Sequence, residues 1–402
     1  MDFSSANLLL QKVLGYIPNI SKGLEYLKYL EFWPIFLIGI GISLILTPLI
    51  GYFATKKDIT YKPHTKRKEK DFDNPEKAMH EGVTPALGGL AISIPIFLAI
   101  LVFFKLDAFT IPILIALGIL ILGSFLDDVF NLPASLQFLY QILAAGIIAF
   151  SIIDLTSISF LDIALESRTL SFSVLGLAQS FVFPGDLILF GWIIVCINAV
   201  KWTAGSPGII EANSLAIFSL IFVIAVRESA LFSSTLSILA AGTLLVFLLF
   251  AFPPQKIMSG SAGKSVYGFL ICLLAIIADL KISTTIMLLL LPLIDFIYVI
   301  VKRIFINKPK SIVELMKIND TNHLHHQLLK LNISRKNVVL IEMSASLLLG
   351  SFAILTTGAL RYFALILGIA IGIAFIVFIN IKATKKKKDE DEPKSPESKY
   401  SY

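Results

Sequence analysis

Apolar residues run along this chain in long blocks, broken by short polar stretches. Blocks occur near 33–54, 85–104, 108–126, 134–155, 185–200, 213–229, 230–252, 265–280, 283–301, 337–358 and 361–381. About 20 residues at a rise of 1.5 Å cross the roughly 30 Å hydrocarbon layer of a bilayer. Barrel strands would alternate and be half as long, so the blocks predict about eleven membrane-spanning helices. The split between 213–229 and 230–252 rests on Arg227 and Glu228 alone. The predicted fold is all-α, a polytopic membrane helix bundle.

Composition agrees with this. Hydrophobic residues make up 56% and charged residues 15%, too few charges to cover soluble domains. Residues 1–31 mix Lys12, Lys22, Glu25, Lys28 and Glu31 with apolar positions, the pattern of a surface-lying amphipathic segment rather than a cleaved leader. The expected organisation is this segment, a membrane domain over 32–381, and a charge-blocked, disordered tail over 382–402. Both cysteines, Cys196 and Cys272, fall inside spans, against a disulfide framework or a thiolate metal site.

Charge sorts by side. With the loop 55–84 in the cytoplasm, that side holds 26 of the 34 Lys and Arg. This bias sets the N-terminus outside and the C-terminus inside. The net charge of +6 then belongs to topology and to attraction by the inner leaflet, not to nucleic acid.

Several polar groups at the cytoplasmic span ends exceed what a membrane requires. Asp127 and Asp128 are adjacent carboxylates that point about 100° apart on a helix, which suits a metal or phosphate site or, more plainly, a solvated helix end. His323, His325 and His326 crowd four residues after Asp320, and fit phosphate contact, a zinc site or an ordinary basic loop. His80 through Gly89 ends in paired glycines that would let backbone approach an anion or a neighbouring helix. Asp295 lies within a span and is followed by Arg303, either as a functional group or as a partner for a nearby cation. Gly260 through Ser265 lacks the spacing and the preceding strand of a P-loop. No inverted repeat or broken span pair marks a transporter.

The order of these motifs resembles the polyprenyl-phosphate N-acetylhexosamine-1-phosphate transferases, which include the GlcNAc-1-phosphate and phospho-MurNAc-pentapeptide enzymes of cell-envelope glycan synthesis. The resemblance spans roughly 40–380 and is carried by His80 to Gly89, Asp127-Asp128, Gln141, Asn198-Ala199-Val200, Gly205, Gly208, Gly260, Gly263, Gly268, Asp295, Arg303, Asp320 and the three histidines. It implies transfer of a sugar-1-phosphate from a UDP-sugar to polyprenyl phosphate at the cytoplasmic face of the plasma membrane, releasing UMP. It further implies magnesium, contact with membrane lipid, no nucleic-acid partner, and room for a homodimer. By the same resemblance Asp127 and Asp128 would serve the attacking phosphate or the metal. His80, Asn198, Asp295, Arg303, His323, His325 and His326 would bind substrate, and Lys201 and Lys264 are further candidates for substrate contact by their charge rather than by the resemblance.

The chain departs from that pattern at its centre. The family's second loop reads Asn-Ala-x-Asn-x-x-Asp-Gly-x-Asp-Gly, and here Lys201, Ala204 and Pro207 stand at the later Asn and the two Asp. The third loop reads Gly-Asp-x-Gly-Ser, and here Ser261 replaces the magnesium-binding Asp and Lys264 the Ser. A lysine usual four residues before Gln141 is Gln137. These changes leave two expectations. Lys201 and Lys264 supply charge otherwise brought by the metal, or the protein is a degenerate member that binds polyprenyl phosphate or a partner without turnover.

Overall fold

The computed structural model describes residues 28–61, 83–155, 157–158, 163–164, 166–279, 282–311, 314–315, 318 and 321–391. The amphipathic segment expected over 1–31 lies almost wholly outside these residues, as do His80, Asp320 and the end of the tail.

Each apolar block coincides with helix. In chain order these are α1 (Trp33–Lys56), α2 (Leu90–Phe103), α3 (Thr110–Phe130), α4 (Ala134–Ala149), α5 (Gly185–Trp202), α6 (Ile209–Arg227), α7 (Leu231–Ala251), α8 (Gly260–Asp279), the pair α9 (Ile282–Leu288) and α10 (Leu290–Asn307), then α11 (Leu324–Lys330), α12 (Arg335–Leu355) and α13 (Gly358–Asp391). Among the described residues eight helices are long and apolar enough to cross a membrane, and α9 with α10, bent by 82° at their junction, make a ninth when taken as one span. The remaining two blocks form the shorter apolar helices α2 and α4. The protein is a multi-pass, all-α membrane protein.

The bend has a local cause. Pro292 lies in the first turn of α10 and has no N–H to return to the Leu288 carbonyl, so the ladder breaks there. α10 leaves the axis of α9 with Asp295, Val299 and Arg303 on its buried face and Ile297, Ile304 and Phe305 exposed.

α6 and α8 form the middle of the bundle, buried along most of their length. α8 packs on α5, α3 and α6, and α12 packs on α6 from the other side. Small residues set the closest crossings. Gly268 of α8 lies against the backbone of Ile197, and Gly39 of α1 against the backbone of Leu239 and Gly242 of α7. In lipid, such close backbone contact replaces the hydrophobic drive that holds helices together in water.

Two expectations need correction. The tail is not disordered from residue 382: α13 continues to Asp391. Lysines are good helix formers, and a helix already nucleated in the membrane extends through them at little cost. The block near 134–155 stops being helical at Ala149. Ser151 turns its hydroxyl back to the Ile148 carbonyl, and the Leu155 N–H goes to Asp186 at the start of α5.

Residues 166–184, not assigned from sequence, form a hairpin of β1 (Glu166–Val174) and β2 (Leu177–Pro184) between α4 and α5. Its two-residue turn holds Leu175 at φ 51° and Gly176 at φ 79°. Positive φ at both positions is the turn whose twist matches paired strands.

Candidate functional site

The site begins where two helix ends meet. α3 ends at Asn131, whose left-handed conformation (φ 54°) closes the helix with its N–H on the Asp127 carbonyl. The last turn therefore presents Asp127 and Asp128 at a helix C-terminus, the unfavourable end for negative charge. Relief comes from α8. Asp128 Oδ1 accepts from the Ser261 N–H at 2.7 Å and Oδ2 from the Ala262 N–H at 3.3 Å. It satisfies donors that an α-helix leaves open in its first turn and faces the positive end of that helix. Both oxygens of Asp128 are thus engaged in holding α8.

Asp127 is 7% exposed and sits between two donors. Ser261 Oγ donates to its Oδ2 at 2.5 Å, and Gln137 Nε2 of α4 donates to its Oδ1 at 2.9 Å. Gln137 in turn accepts at Oε1 from Lys201 Nζ at 2.6 Å. A relay Lys201–Gln137–Asp127–Ser261 therefore crosses α5, α4, α3 and α8. The lysine and the glutamine, which looked like separate departures in sequence, are bonded to each other. Lys264 stands close enough to Asp128 and to the buried Glu211 of α6 to act on both electrostatically. Glu211 accepts from Ser259 Oγ at 2.7 Å. Asn198 is further back, donating to Gln141 Oε1 at 2.8 Å and to the Ile194 carbonyl, and it ties α5 to α4 behind the relay.

The glycines fix the loop before α8. Gly260 has φ 62°, and a Cβ there would meet the Ala86 carbonyl and the Asp128 carboxylate. Gly88 and Gly89 donate their N–H groups to the Met258 and Ser259 carbonyls. Those amides are spent on the 258–259 backbone, so the paired glycines serve close packing.

The second group of side chains lies on α10 and α11. Asp295, 2% exposed, bonds His323 Nδ1 at 2.7 Å and accepts from the Leu324 N–H at 2.8 Å, which caps α11. His323 and His325 lie parallel at 5.6 Å between centroids, and His326 follows at 4.5 Å from His325. Arg303 lies over the Trp202 ring at 4.6 Å, and Trp202 packs on Phe296. His325 is 1% exposed, and neither ring nitrogen has a hydrogen-bond partner among the described residues. Its ring occupies the space that a Cβ at Gly205 would need.

The end of α5 joins the two groups. Within five residues Lys201 reaches Gln137, Trp202 carries Arg303, and Gly205 receives His325. Four peptide units extend at most about 14 Å, so the carboxylate and histidine groups border one region.

Burial drives the His325 imidazole well below its ordinary value of 6.5, and repulsion from His326 and His323 adds to it. The folded protein keeps His325 neutral where an unfolded chain would protonate it. Stability from this site is therefore present above pH 6.5 and falls as the pH drops below it. The thermal unfolding midpoint in detergent should decline between pH 7 and pH 5, and less so in His325→Gln. Equal declines in both proteins would remove His325 as the cause.

Two features escaped the reading of the sequence. Trp202 is the platform for Arg303, and nothing in its local pattern marks it. Glu342 lies buried on α12, with Asn213 donating to it at 3.5 Å and Asp295 near enough to repel it. A carboxylate inside the apolar block 337–358 was the available signal.

A family model described as Glycosyl transferase family 4 matches residues 109–279, the stretch from just before α3 through α8 that holds the whole carboxylate group. The probable undecaprenyl-phosphate N-acetylglucosaminyl 1-phosphate transferase of Bacillus subtilis is 26% identical over 86% of this chain and 88% of its own length. Over residues 109–279 the chain is similar to glycosyl transferase family 4. Other similar proteins include the decaprenyl-phosphate N-acetylglucosaminephosphotransferase of Mycobacterium leprae, 25% identical over 76% of this chain and 79% of its own. The phospho-N-acetylmuramoyl-pentapeptide-transferase of Bacillus subtilis is 26% identical over 79% of this chain and 95% of its own.

A magnesium ion at this site would have few protein ligands. Among the described residues no group of three His, Cys, Asp or Glu could hold an ion. Asp127 nevertheless accepts a single hydrogen bond at each oxygen and keeps a lone pair on both. This suits the open style of magnesium binding, in which one or two carboxylates join substrate phosphates and water.

Proposed function

We propose that the protein transfers N-acetylhexosamine-1-phosphate from a UDP-sugar to polyprenyl phosphate, giving polyprenyl-diphosphate-sugar and UMP, at the cytoplasmic face of the plasma membrane. The observation that carries this reading is the relay from Lys201 through Gln137 and Asp127 to Ser261, set beside the histidine group at the ends of membrane helices. The family and its relatives support the reaction class, and the charge bias of the loops supports the side.

The chemistry explains why such a site needs cations and little else. A phosphate monoester loses its second proton near pH 6, so the attacking oxygen is already anionic at neutral pH. No base has to remove a proton from it. The difficulty is bringing that anion to a diphosphate, where positioning and charge neutralisation dominate. Lys201, Lys264 and Arg303 supply fixed positive charge along the region between the two groups. His325 is neutral and buried, with its nitrogens left for hydrogen bonding. Asp127 would hold magnesium, with Ser261 Oγ beside it, and the ion would neutralise diphosphate oxygens. The exposed apolar face of α10 offers a surface for the acceptor's isoprenoid chain beside the site.

The test is direct. Purified protein is incubated with labelled UDP-N-acetylglucosamine and undecaprenyl phosphate, and label entering the organic phase is compared with UMP released. Equal amounts of both are expected, each dependent on the acceptor. Binding of the UDP-sugar with no transfer would select the degenerate reading instead.

Lys201 gives a second expected outcome. Lys201→Gln keeps a group that can donate to Gln137 but removes the charge. It should raise the KM for UDP-sugar about tenfold and make turnover more sharply dependent on added magnesium. An exposed-type worth for this half-buried ammonium would give less than that, and tenfold corresponds to about 1.4 kcal/mol. Identical magnesium titrations in both proteins would show that Lys201 supplies no charge to the substrate.

A further inference from the structure

Away from the carboxylate and histidine groups, α10 and α13 enclose a pocket of about 410 Å³. α10 lines it with Tyr298 and Lys302, a stripe beside the Asp295–Val299–Arg303 stripe that faces the site. α13 lines it with Val377, Asn380, Ile381, Thr384 and Lys385.

The composition changes along the pocket. Val377 and Ile381 are one helical turn apart and open onto the lipid-facing surface, with Ile381 61% exposed. Lys302 and Lys385 stand toward the end where both helices leave the bilayer. Lys302 lies over the Tyr298 ring at 5.6 Å, which holds the ammonium at that rim. An apolar flank below two cations is the outline of an anionic lipid, with acyl chains along the helix and phosphate at the mouth.

Asn380 narrows the headgroup. It is 5% exposed, and its Nδ2 donates to the Ile376 carbonyl at 2.9 Å. Its Oδ1 has no hydrogen-bond partner among the described residues. A buried acceptor left open keeps its desolvation cost without return, so a ligand that brings a donor is favoured. Thr384 cannot be that donor, because its hydroxyl already donates to the Asn380 carbonyl at 2.8 Å. A phosphate dianion brings acceptors only. A zwitterionic amine headgroup would place its cation against two lysines. A phosphodiester that carries hydroxyl groups satisfies all three conditions.

We infer that the pocket between α10 and α13 binds an anionic phospholipid with a hydroxyl-bearing headgroup, of the phosphatidylglycerol type, as a site separate from that of the acceptor. The two lysines pair with the phosphodiester, and a headgroup hydroxyl donates to Asn380 Oδ1. The bound lipid joins α13 to α10, the second half of the bent pair, on the side away from α5.

The experiment is native mass spectrometry of the full-length protein in detergent, titrated separately with phosphatidylglycerol, phosphatidylcholine, phosphatidic acid and undecaprenyl phosphate. The wild type should retain one phosphatidylglycerol after phosphatidylcholine has been lost. Lys302→Gln with Lys385→Gln should lower that occupancy about tenfold. Lys302→Arg with Lys385→Arg should retain it, and its thermal midpoint controls for folding. Asn380→Leu should bring phosphatidylglycerol down to the level of phosphatidic acid, which has no headgroup hydroxyl. Equal retention of phosphatidylglycerol and phosphatidylcholine, or an unchanged double Gln variant, overturns the proposal. Displacement of phosphatidylglycerol by equimolar undecaprenyl phosphate also overturns it, and assigns the pocket to the acceptor.

Discussion

Asp127→Asn should reduce sugar-phosphate transfer about a hundredfold to a thousandfold, the range seen when one electrostatic group is removed from a preorganised centre. The fold should tolerate the change. The new side chain is isosteric, its carbonyl oxygen can accept from Gln137 Nε2, and its amide can donate to Ser261 Oγ, where Ser261 now donates. What disappears is the negative charge that offsets Lys201 and that would hold a magnesium ion. The measurement is kcat by UMP release, with the detergent melting midpoint as a control. Transfer within a few-fold of wild type, at an unchanged midpoint, would remove Asp127 from the chemistry.

The second large effect belongs to a residue that touches no substrate. Gly260→Ala should cost both stability and turnover. At φ 62° a non-glycine residue is strained, by about 1–3 kcal/mol. Its Cβ would also press on the Ala86 backbone carbonyl and on the Asp128 carboxylate, which two backbone N–H groups of α8 hold in place. The start of α8 would shift and take Ser261 away from Asp127. Gly191→Ala is the matched control, because a Cβ there has nothing within 4 Å. A lower melting midpoint with a larger loss of kcat is expected for Gly260→Ala and neither for Gly191→Ala. Equal behaviour of the two variants would mean that the tight turn before α8 is not required.

The apolar blocks foretold the helices because membrane burial is written locally, in uninterrupted runs. What they could not foretell were endings set by distant partners. α4 stops at Ala149 partly because Leu155 is claimed by Asp186, 31 residues away. The bend at Leu289 was closer to legible, since Pro292 stands in the block for anyone to see. The hairpin was legible too: Leu170, Phe172 and Val174 alternate with Ser171 and Ser173, and Leu-Gly marks the turn. Its alternation over five residues is a weak signal beside uninterrupted apolar runs of about twenty.

The candidate site was legible as an inventory and not as a wiring diagram. Asp127, Asp128, Lys201, Lys264 and the histidines were all singled out from the sequence. Their roles depend on pairings that local pattern does not record. Gln137 and Lys201 are 64 residues apart and read as two separate departures, whereas together they form one bond. Asp128 read as a twin of Asp127, but its oxygens cap α8.

That cap has a consequence for how the protein is made. Asp128 and its donor at Ser261 are separated by 133 positions. At a synthesis rate of 5–20 residues per second, the two carboxylates wait about 7–27 s before α8 emerges from the ribosome. Throughout that interval they are a like-charged pair at the end of an inserted helix with no α8 to engage them. Their place in the last turn of α3, rather than deeper in it, lets water carry them until α8 arrives. A nascent chain halted before residue 260 should therefore expose residue 128 to aqueous reagents, and one halted well beyond α8 should protect it.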